Sequence, residues 1–202
     1  MEATTQASDI TYPAHAVALT IGGSDSSGGA GIQADLKTFQ QLGVYGASVL
    51  TLVTAQNTQR VSQVMNLPAD LILRQLDAVF DDLPIVVAKT GALGTAANIE
   101  AIASRWQGSS IPLVVDPVMV SKHGDSLIDD DATQAYKQLL RHAYLVTPNR
   151  TELERLTGIT LKDEASVAKA IYHLHECGAR YVLVKMGEED GSSVHVFGDG
   201  KE

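Results

Sequence analysis

Six short apolar runs divide this chain, and their pattern constrains the fold more than any other feature. Ala16 to Ile21, Ser48 to Val53, Ile85 to Ala88, Leu113 to Val115, Tyr144 to Val146 and Tyr181 to Val184 are continuous rather than alternating. Such Val, Ile and Leu runs suit strands buried on both faces, as a parallel sheet requires. Segments of helical period separate them. Ala69 to Asp81 sets Ile72, Leu76, Val79 and Leu83 on one stripe; Asp163 to Cys177 does the same with Val167, Ile171 and Leu174, and Gly178 is placed to stop it. Repeated strand, helix, strand predicts an α/β fold, a three-layer α/β/α sandwich around a mostly parallel central sheet. Its ligands should bind outside the carboxyl ends of the strands. Residues 1–15 are polar and contain Pro13, and read as a loose N-terminal extension; 16–202 read as one domain.

Charge and cysteine content exclude several functions. Lys and Arg number 15 against 24 Asp and Glu, a net charge of −9. That sign disfavours nucleic acid and anionic membrane surfaces, while a small phosphorylated ligand held in a local pocket remains open. The single cysteine, Cys177, permits no internal disulfide and no Cys-rich zinc site, which fits the reducing cytoplasm. No apolar run approaches the roughly 18 residues of a membrane span. The first basic residue is Lys37, which speaks against an Arg-rich transit peptide. The histidines show no metal-ligand spacing, and the chain has no Gly-x-Ser-x-Gly.

The strand-end loops carry the chemistry. The first runs from Gly22 to Gly31, five glycines in ten residues, ahead of a helix over Ile32 to Leu42. It suits a backbone that approaches a ligand and aims N–H groups at it, or simply a flexible loop with capping serines. It lacks the Gly-Lys-Ser/Thr of a Walker A loop, and its glycines stand too far from the strand for a dinucleotide turn. Asp35, expected in the first turn of the helix, and Gln56 after the second strand form a carboxylate and amide pair. Such a pair reads a heteroaromatic ring, although a helix-dipole acid and a polar turn residue explain them equally. Asp116 leaves the sheet before Pro117, where an acid holds Mg2+ or merely starts a turn. Asn149 with Glu152 three residues on is a capping-box pattern that also sits where a metal and phosphates would lie. Lys89 and Lys185 end two strands, where each would place an ammonium over the same crevice or simply be solvated.

In this order, the runs Ala18 to Lys37 (ALTIGGSDSSGGAGIQADLK), Val53 to Thr58 (VTAQNT), Asp116 to Met119 (DPVM) and Thr147 to Asn149 (TPN) with Glu152 resemble the hydroxymethylpyrimidine/phosphomethylpyrimidine kinases of thiamine biosynthesis, within the ribokinase-like superfamily. The resemblance extends from about Ala16 to the end of the chain. It implies ATP- and Mg2+-dependent phosphorylation of 4-amino-5-hydroxymethyl-2-methylpyrimidine, then of its monophosphate, by a cytoplasmic homodimer. It places Gly23, Asp35, Thr54 and Gln56 in the pyrimidine pocket. Asn149 and Glu152 match the superfamily's N-x-x-E motif, and Asp116 and Lys185 its other phosphate-side positions, with Glu152 and Asp116 nearest the metal. Pyridoxal-type relatives carry Met-Asp where Gln56-Asn57 stands, which favours the pyrimidine over the alternative, a pyridoxal or pyridoxine kinase.

Three departures from the family pattern bear on activity. Ala92 replaces a methionine over the substrate, and Met186-Gly187-Glu188 replaces Gly-Gly-His after the lysine. The sequence contains no Gly-Thr-Gly, the family's anion-hole loop with its following catalytic base, so no catalytic base is assigned. Ser193 to Phe197 reads as a strand and Asp199-Gly200 as a hairpin turn whose return strand is missing. The expectation is therefore a ribokinase-like domain lacking its C-terminal portion, with a truncated, non-catalytic pyrimidine-binding protein as a further alternative.

Overall fold

A computed structural model of the chain describes residues 16–119, 132–189 and 192–200. The extension expected over residues 1–15 lies outside the described residues. In chain order the elements are β1 (Val17–Asp25), α1 (Gly31–Gln41), β2 (Tyr45–Gln56), β3 (Val61–Asn66), α2 (Ala69–Asp82), β4 (Ile85–Thr90), α3 (Ala96–Arg105), β5 (Leu113–Val115), α4 (Ala132–Leu140), β6 (Ala143–Val146), α5 (Arg150–Thr157), α6 (Glu164–Glu176), β7 (Tyr181–Glu189) and β8 (Ser192–Gly198).

The strands form one sheet in the order β3-β2-β1-β4-β5-β6-β7-β8. β2, β1, β4, β5, β6 and β7 run parallel, and the antiparallel β3 and β8 close the two edges. The mostly parallel α/β sheet expected from the apolar runs is thus present. The connection through α1 steps from β1 to β2 in one direction; those through α2, α3 and α4 step the other way. Right-handed crossovers therefore set α1 on one face and α2, α3 and α4 on the other, giving three layers.

β1 lies between β2 and β4, where the stepping direction reverses, and is buried along almost its whole length. Leu19 and Ile21 join Val49, Ile72, Leu76, Ile99, Leu113 and Val115 in the core. The uniform burial expected of every run is met by β1 and only partly elsewhere. Val86 in β4 is 53% exposed and Tyr144 in β6 is 40% exposed, because helix cover across the sheet is uneven.

Two expectations about the edges change. β3 went unread in the sequence because its burial is weak and its residues, Val61-Ser62-Gln63-Val64-Met65-Asn66, mix polar and apolar types. The strand expected at Ser193 to Phe197 is itself the return strand of a hairpin, paired antiparallel with β7 from Glu189↔Ser192 to Val182↔Gly198. Its partner precedes it.

Candidate active site

The glycine-rich loop after β1 is wound around its own carboxylate. Asp25 is 4% exposed and accepts from the backbone N–H groups of Ser27 (2.8 Å), Gly29 (3.1 Å) and Ala30 (2.8 Å) and from Ser27 Oγ (2.8 and 2.9 Å). Burial pushes this carboxyl up, but the Ser27, Ala30 and Gly29 donors outweigh it and hold the group below its ordinary range. The reading in which these N–H groups face a ligand is corrected: three of them serve Asp25. Gln33 accepts from the Asp25 N–H (2.9 Å) and donates to Ser24 Oγ (2.7 Å), and Lys37 Nζ donates to the Gly28 carbonyl (2.8 Å). Gly31, at φ +59°, lies so close to the Gly23 carbonyl that a Cβ would collide with it. The loop is a rigid lip on the end of β1.

Under that lip the expected substrate residues fall into two pairs. Thr54 Oγ1 donates to the Ser24 carbonyl (2.9 Å) and lies 3.1 Å from the side-chain amide of Gln56. The Gln56 backbone is clipped to Ser26 Oγ in both directions (2.8 and 2.6 Å). Asp35 belongs to the second turn of α1, not the first, so the helix-dipole explanation does not apply to it. Its carboxylate takes Lys89 Nζ on both oxygens (2.9 and 2.8 Å) and Thr20 Oγ1 on Oδ2 (2.6 Å). Gly23 sits between the Leu52 side chain and Ala92, where a Cβ would stand 2.5 Å from Leu52 Cδ1. The residue following Gly91 is held by Thr51 Oγ1, which donates to the Ala92 carbonyl (2.6 Å).

The other corner is built from the ends of β5, β6 and β7. Lys185 Nζ stands 3.0 Å from Asp116 Oδ1, and the Lys185 N–H donates to the Pro148 carbonyl (2.8 Å), joining β7 to the turn before α5. Asn149 caps α5: the Glu152 N–H donates to Asn149 Oδ1 (2.9 Å), and the Asn149 N–H donates to Glu152 Oε2 (2.8 Å). The capping-box reading of these two residues is therefore correct, and the four expected phosphate-side residues are brought together.

Glu152 is 4% exposed. Burial raises its carboxyl above the ordinary range, the Asp116 charge adds to the rise, and the Asn149 and Met119 N–H groups and Lys185 offset it only in part. Tyr136 of α4, which carries no signal in the sequence, is wholly buried, and its hydroxyl has no hydrogen-bond partner among the described residues. Burial and the nearby Asp116 and Glu152 charges push its phenol far up, so the hydroxyl keeps its proton. Among the described residues no group of three or more His, Cys, Asp or Glu could hold a metal ion alone. Two carboxylates beside a lysine instead suit Mg2+, which takes one or two protein carboxylates and completes its shell with phosphate oxygens and water. A cavity of about 740 Å³ between α6 and the β7–β8 hairpin is lined by none of the eight expected site residues.

The Phosphomethylpyrimidine kinase family model matches residues 25–202. The chain is 52% identical over 185 residues to the Thiamine biosynthesis bifunctional protein ThiED of Geobacter sulfurreducens, covering 90% of this chain and 38% of that protein. It is 44% identical to the Hydroxymethylpyrimidine/phosphomethylpyrimidine kinase of Streptomyces coelicolor, over 91% of this chain and 69% of that one. Among solved structures, the phosphomethylpyrimidine kinase of Clostridium difficile superposes with a TM-score of 0.83 at 41% identity, covering 91% of this chain and 80% of that one. The pyridoxal kinase of Staphylococcus aureus in complex with AMP-PCP gives 0.82 at 37% identity, covering 93% and 70%.

Proposed function

The chain belongs to the phosphomethylpyrimidine kinase family, and from that premise we propose that it serves ATP-dependent phosphorylation of 4-amino-5-hydroxymethyl-2-methylpyrimidine and of its monophosphate. The observation that carries this reading is the pairing of two corners on one sheet edge. One holds Asp35, Thr54 and Gln56 under the lip after β1; the other gathers Asp116, Asn149, Glu152 and Lys185. In the reaction the substrate hydroxyl oxygen bonds to the γ-phosphorus as the bond to the bridging oxygen breaks, leaving ADP. Catalysis of such a transfer is mostly positioning and charge neutralisation.

Each residue has a place in that scheme. Asp35 accepts from the exocyclic amine, the free end of the Gln56 amide donates to the ring, and Gly23 and Thr54 line the ring's plane. Lys185 neutralises phosphate charge and keeps Asp116 oriented. Asn149 fixes Glu152 at the start of α5, and Glu152 with Asp116 would hold Mg2+, which supplies charge neutralisation on the phosphates.

Two relatives support weighing pyridoxal as a second substrate, since pyridoxal kinases of Staphylococcus aureus and Bacillus subtilis share the fold at 37% and 38% identity. The test incubates the chain with ATP, Mg2+ and each substrate in turn, following ADP release, with calorimetry run alongside. Faster ADP release with the pyrimidine supports the kinase reading. Pyrimidine binding without ADP release replaces it with the non-catalytic binder, a preference for pyridoxal replaces it with the second reading, and binding of neither compound rejects both.

A further inference from the structure

Lys89 was singled out in the sequence only as an ammonium at a strand end, and the proposed roles above leave it unused. It lies in β4 opposite Thr20 of β1, at the position where the stepping direction of the sheet reverses and ligands of open α/β sheets bind. Its Nζ donates to Asp35 Oδ1 (2.9 Å) and Oδ2 (2.8 Å). An ammonium has three N–H groups. Two meet Asp35, and the third has no partner among the described residues. On the carboxylate, Oδ2 already accepts from Lys89 and Thr20, whereas Oδ1 accepts from Lys89 alone and keeps a free lone pair.

A free donor and a free acceptor therefore stand next to each other. The pair is largely but not fully covered, with 29% of the Lys89 side chain and 19% of the Asp35 side chain exposed. A Cβ on Gly91 would stand 3.6 Å from Lys89 Nζ, in ordinary contact with it, so the glycine leaves that side of the ammonium uncovered. A clip whose sole task is to hold α1 on the sheet gains little from a largely covered ion pair, since apolar residues do as well or better there. The pair is also neutral overall, which suits an uncharged ring better than an anion.

We propose that Lys89 is a specificity-determining residue of the substrate crevice, presenting with Asp35 a donor and an acceptor side by side to the amidine edge of a 4-aminopyrimidine. That edge offers the complement, an exocyclic amine that donates and a ring nitrogen across the same carbon that accepts. Thr20 fixes the carboxylate plane so that Oδ1, and not Oδ2, faces the amine. The inference rests on the pyrimidine reading given above and adds to it the group that reads the ring nitrogen beside the exocyclic amine, leaving the Gln56 amide to donate to the other ring nitrogen.

The test is calorimetric binding to the full chain of two probes, 4-amino-5-hydroxymethyl-2-methylpyrimidine and its 4-oxo counterpart, in which the donor and acceptor positions are exchanged. The unaltered chain prefers the amino compound by about 10- to 100-fold, the range for hydrogen bonds to charged groups. Lys89→Met, with its fold checked by melting temperature, loses most of that preference while Lys89→Arg retains it. A folded Lys89→Met that discriminates as well as the unaltered chain overturns the assignment. Should Lys89→Met fail to fold, the analogue of the amino compound with CH in place of that ring nitrogen is compared on the unaltered chain. Weaker binding by about tenfold or more supports the role of Lys89, and equal binding overturns it. An unaltered chain that binds neither probe rejects the pyrimidine reading itself, a result distinct from the loss of discrimination.

Discussion

Asp25 and Glu152 are both carboxylates at strand-to-helix junctions, and both are 4% exposed, yet their surroundings push them in opposite directions. Around Asp25, three backbone N–H groups and a serine hydroxyl more than offset the cost of burial, and the ion is the favoured state. Around Glu152, burial and the Asp116 charge outweigh two N–H groups and a lysine, and the ion is held at a cost. Near Asp116 and Glu152, the Tyr136 hydroxyl has no hydrogen-bond partner among the described residues. A buried polar group that is already satisfied builds scaffold; one that is not gains when a cation or donor arrives. The lip after β1 is thus a finished mould, while the corner at β5, β6 and β7 keeps buried groups open to a cation or donor, as the receptor role proposed for it requires.

The sharpest way to break this contrast is to spoil the mould. Asp25→Asn leaves one oxygen for the donors of Ser27, Gly29 and Ala30 and sets an NH2 against them. With buried N–H groups left unmatched, the expected loss of stability is about 3 kcal/mol, read as a fall in the denaturation midpoint at unchanged slope. A loss below about 0.5 kcal/mol would mean the loop owes its shape to its glycines. The receptor corner responds less. Asn149→Ala removes the side-chain half of the α5 capping box and should cost about 1 kcal/mol. It should also weaken ATP binding, because the Glu152 N–H loses the Asn149 Oδ1 acceptor that fixes the start of α5.

The contrast also marks where the sequence could be read. Asn149 and Glu152 were legible because a capping box is a local device, complete within four residues. β1, β4, β5 and β7 were legible because their runs are continuous in Val, Ile, Leu and Ala, although only β1 is buried along almost its whole length. β3 was not, since an edge strand with polar residues looks like loop. The Asp35 and Lys89 pair joins residues 54 apart, and nothing in either neighbourhood announces the other until β4 is laid beside β1. Asp25 was visible only as one polar residue among serines and glycines. Its control of the loop depends on φ and ψ values that spacing does not encode. Tyr136 carried no signal, because nothing in its own neighbourhood shows that its hydroxyl will lie near Asp116 and Glu152.

Titration sharpens the comparison further. Asp25 lies below its ordinary value of 3.8 in the folded chain, so its contribution is present above that value and is lost as pH falls through the lower folded one. Glu152 lies above 4.5, so its contribution is fully present below that value and is lost as pH rises through the higher folded one. Stability followed by thermal melting from acid to neutral pH should therefore carry two opposed slopes. Glu152→Gln keeps an acceptor for the Asn149 N–H and should remove the fall on the neutral side without lowering the melting temperature at pH 7. Asp25→Asn should flatten the rise on the acid side. If Glu152→Gln melts lower than the unaltered chain at pH 7, the ion at Glu152 is stabilising and the distinction between the corners fails.

The smallest expected effect has the opposite sign to the others. Tyr136→Phe removes only a hydroxyl, from a position where the ring is fully packed and the oxygen has no partner. Deleting an unsatisfied buried hydroxyl spares its desolvation cost and leaves little cavity, so the free chain should gain up to about 1 kcal/mol. In a finished mould that would be the whole effect. In a receptor corner the hydroxyl finds a partner once ligand draws Asp116 and Glu152 toward it, and the same substitution then weakens binding of ATP with Mg2+. Melting scans with and without the nucleotide separate the two cases. A stabilised free chain whose ligand-induced shift is reduced assigns the hydroxyl to the receptor; a gain that is equal in both states makes Tyr136 core and nothing more.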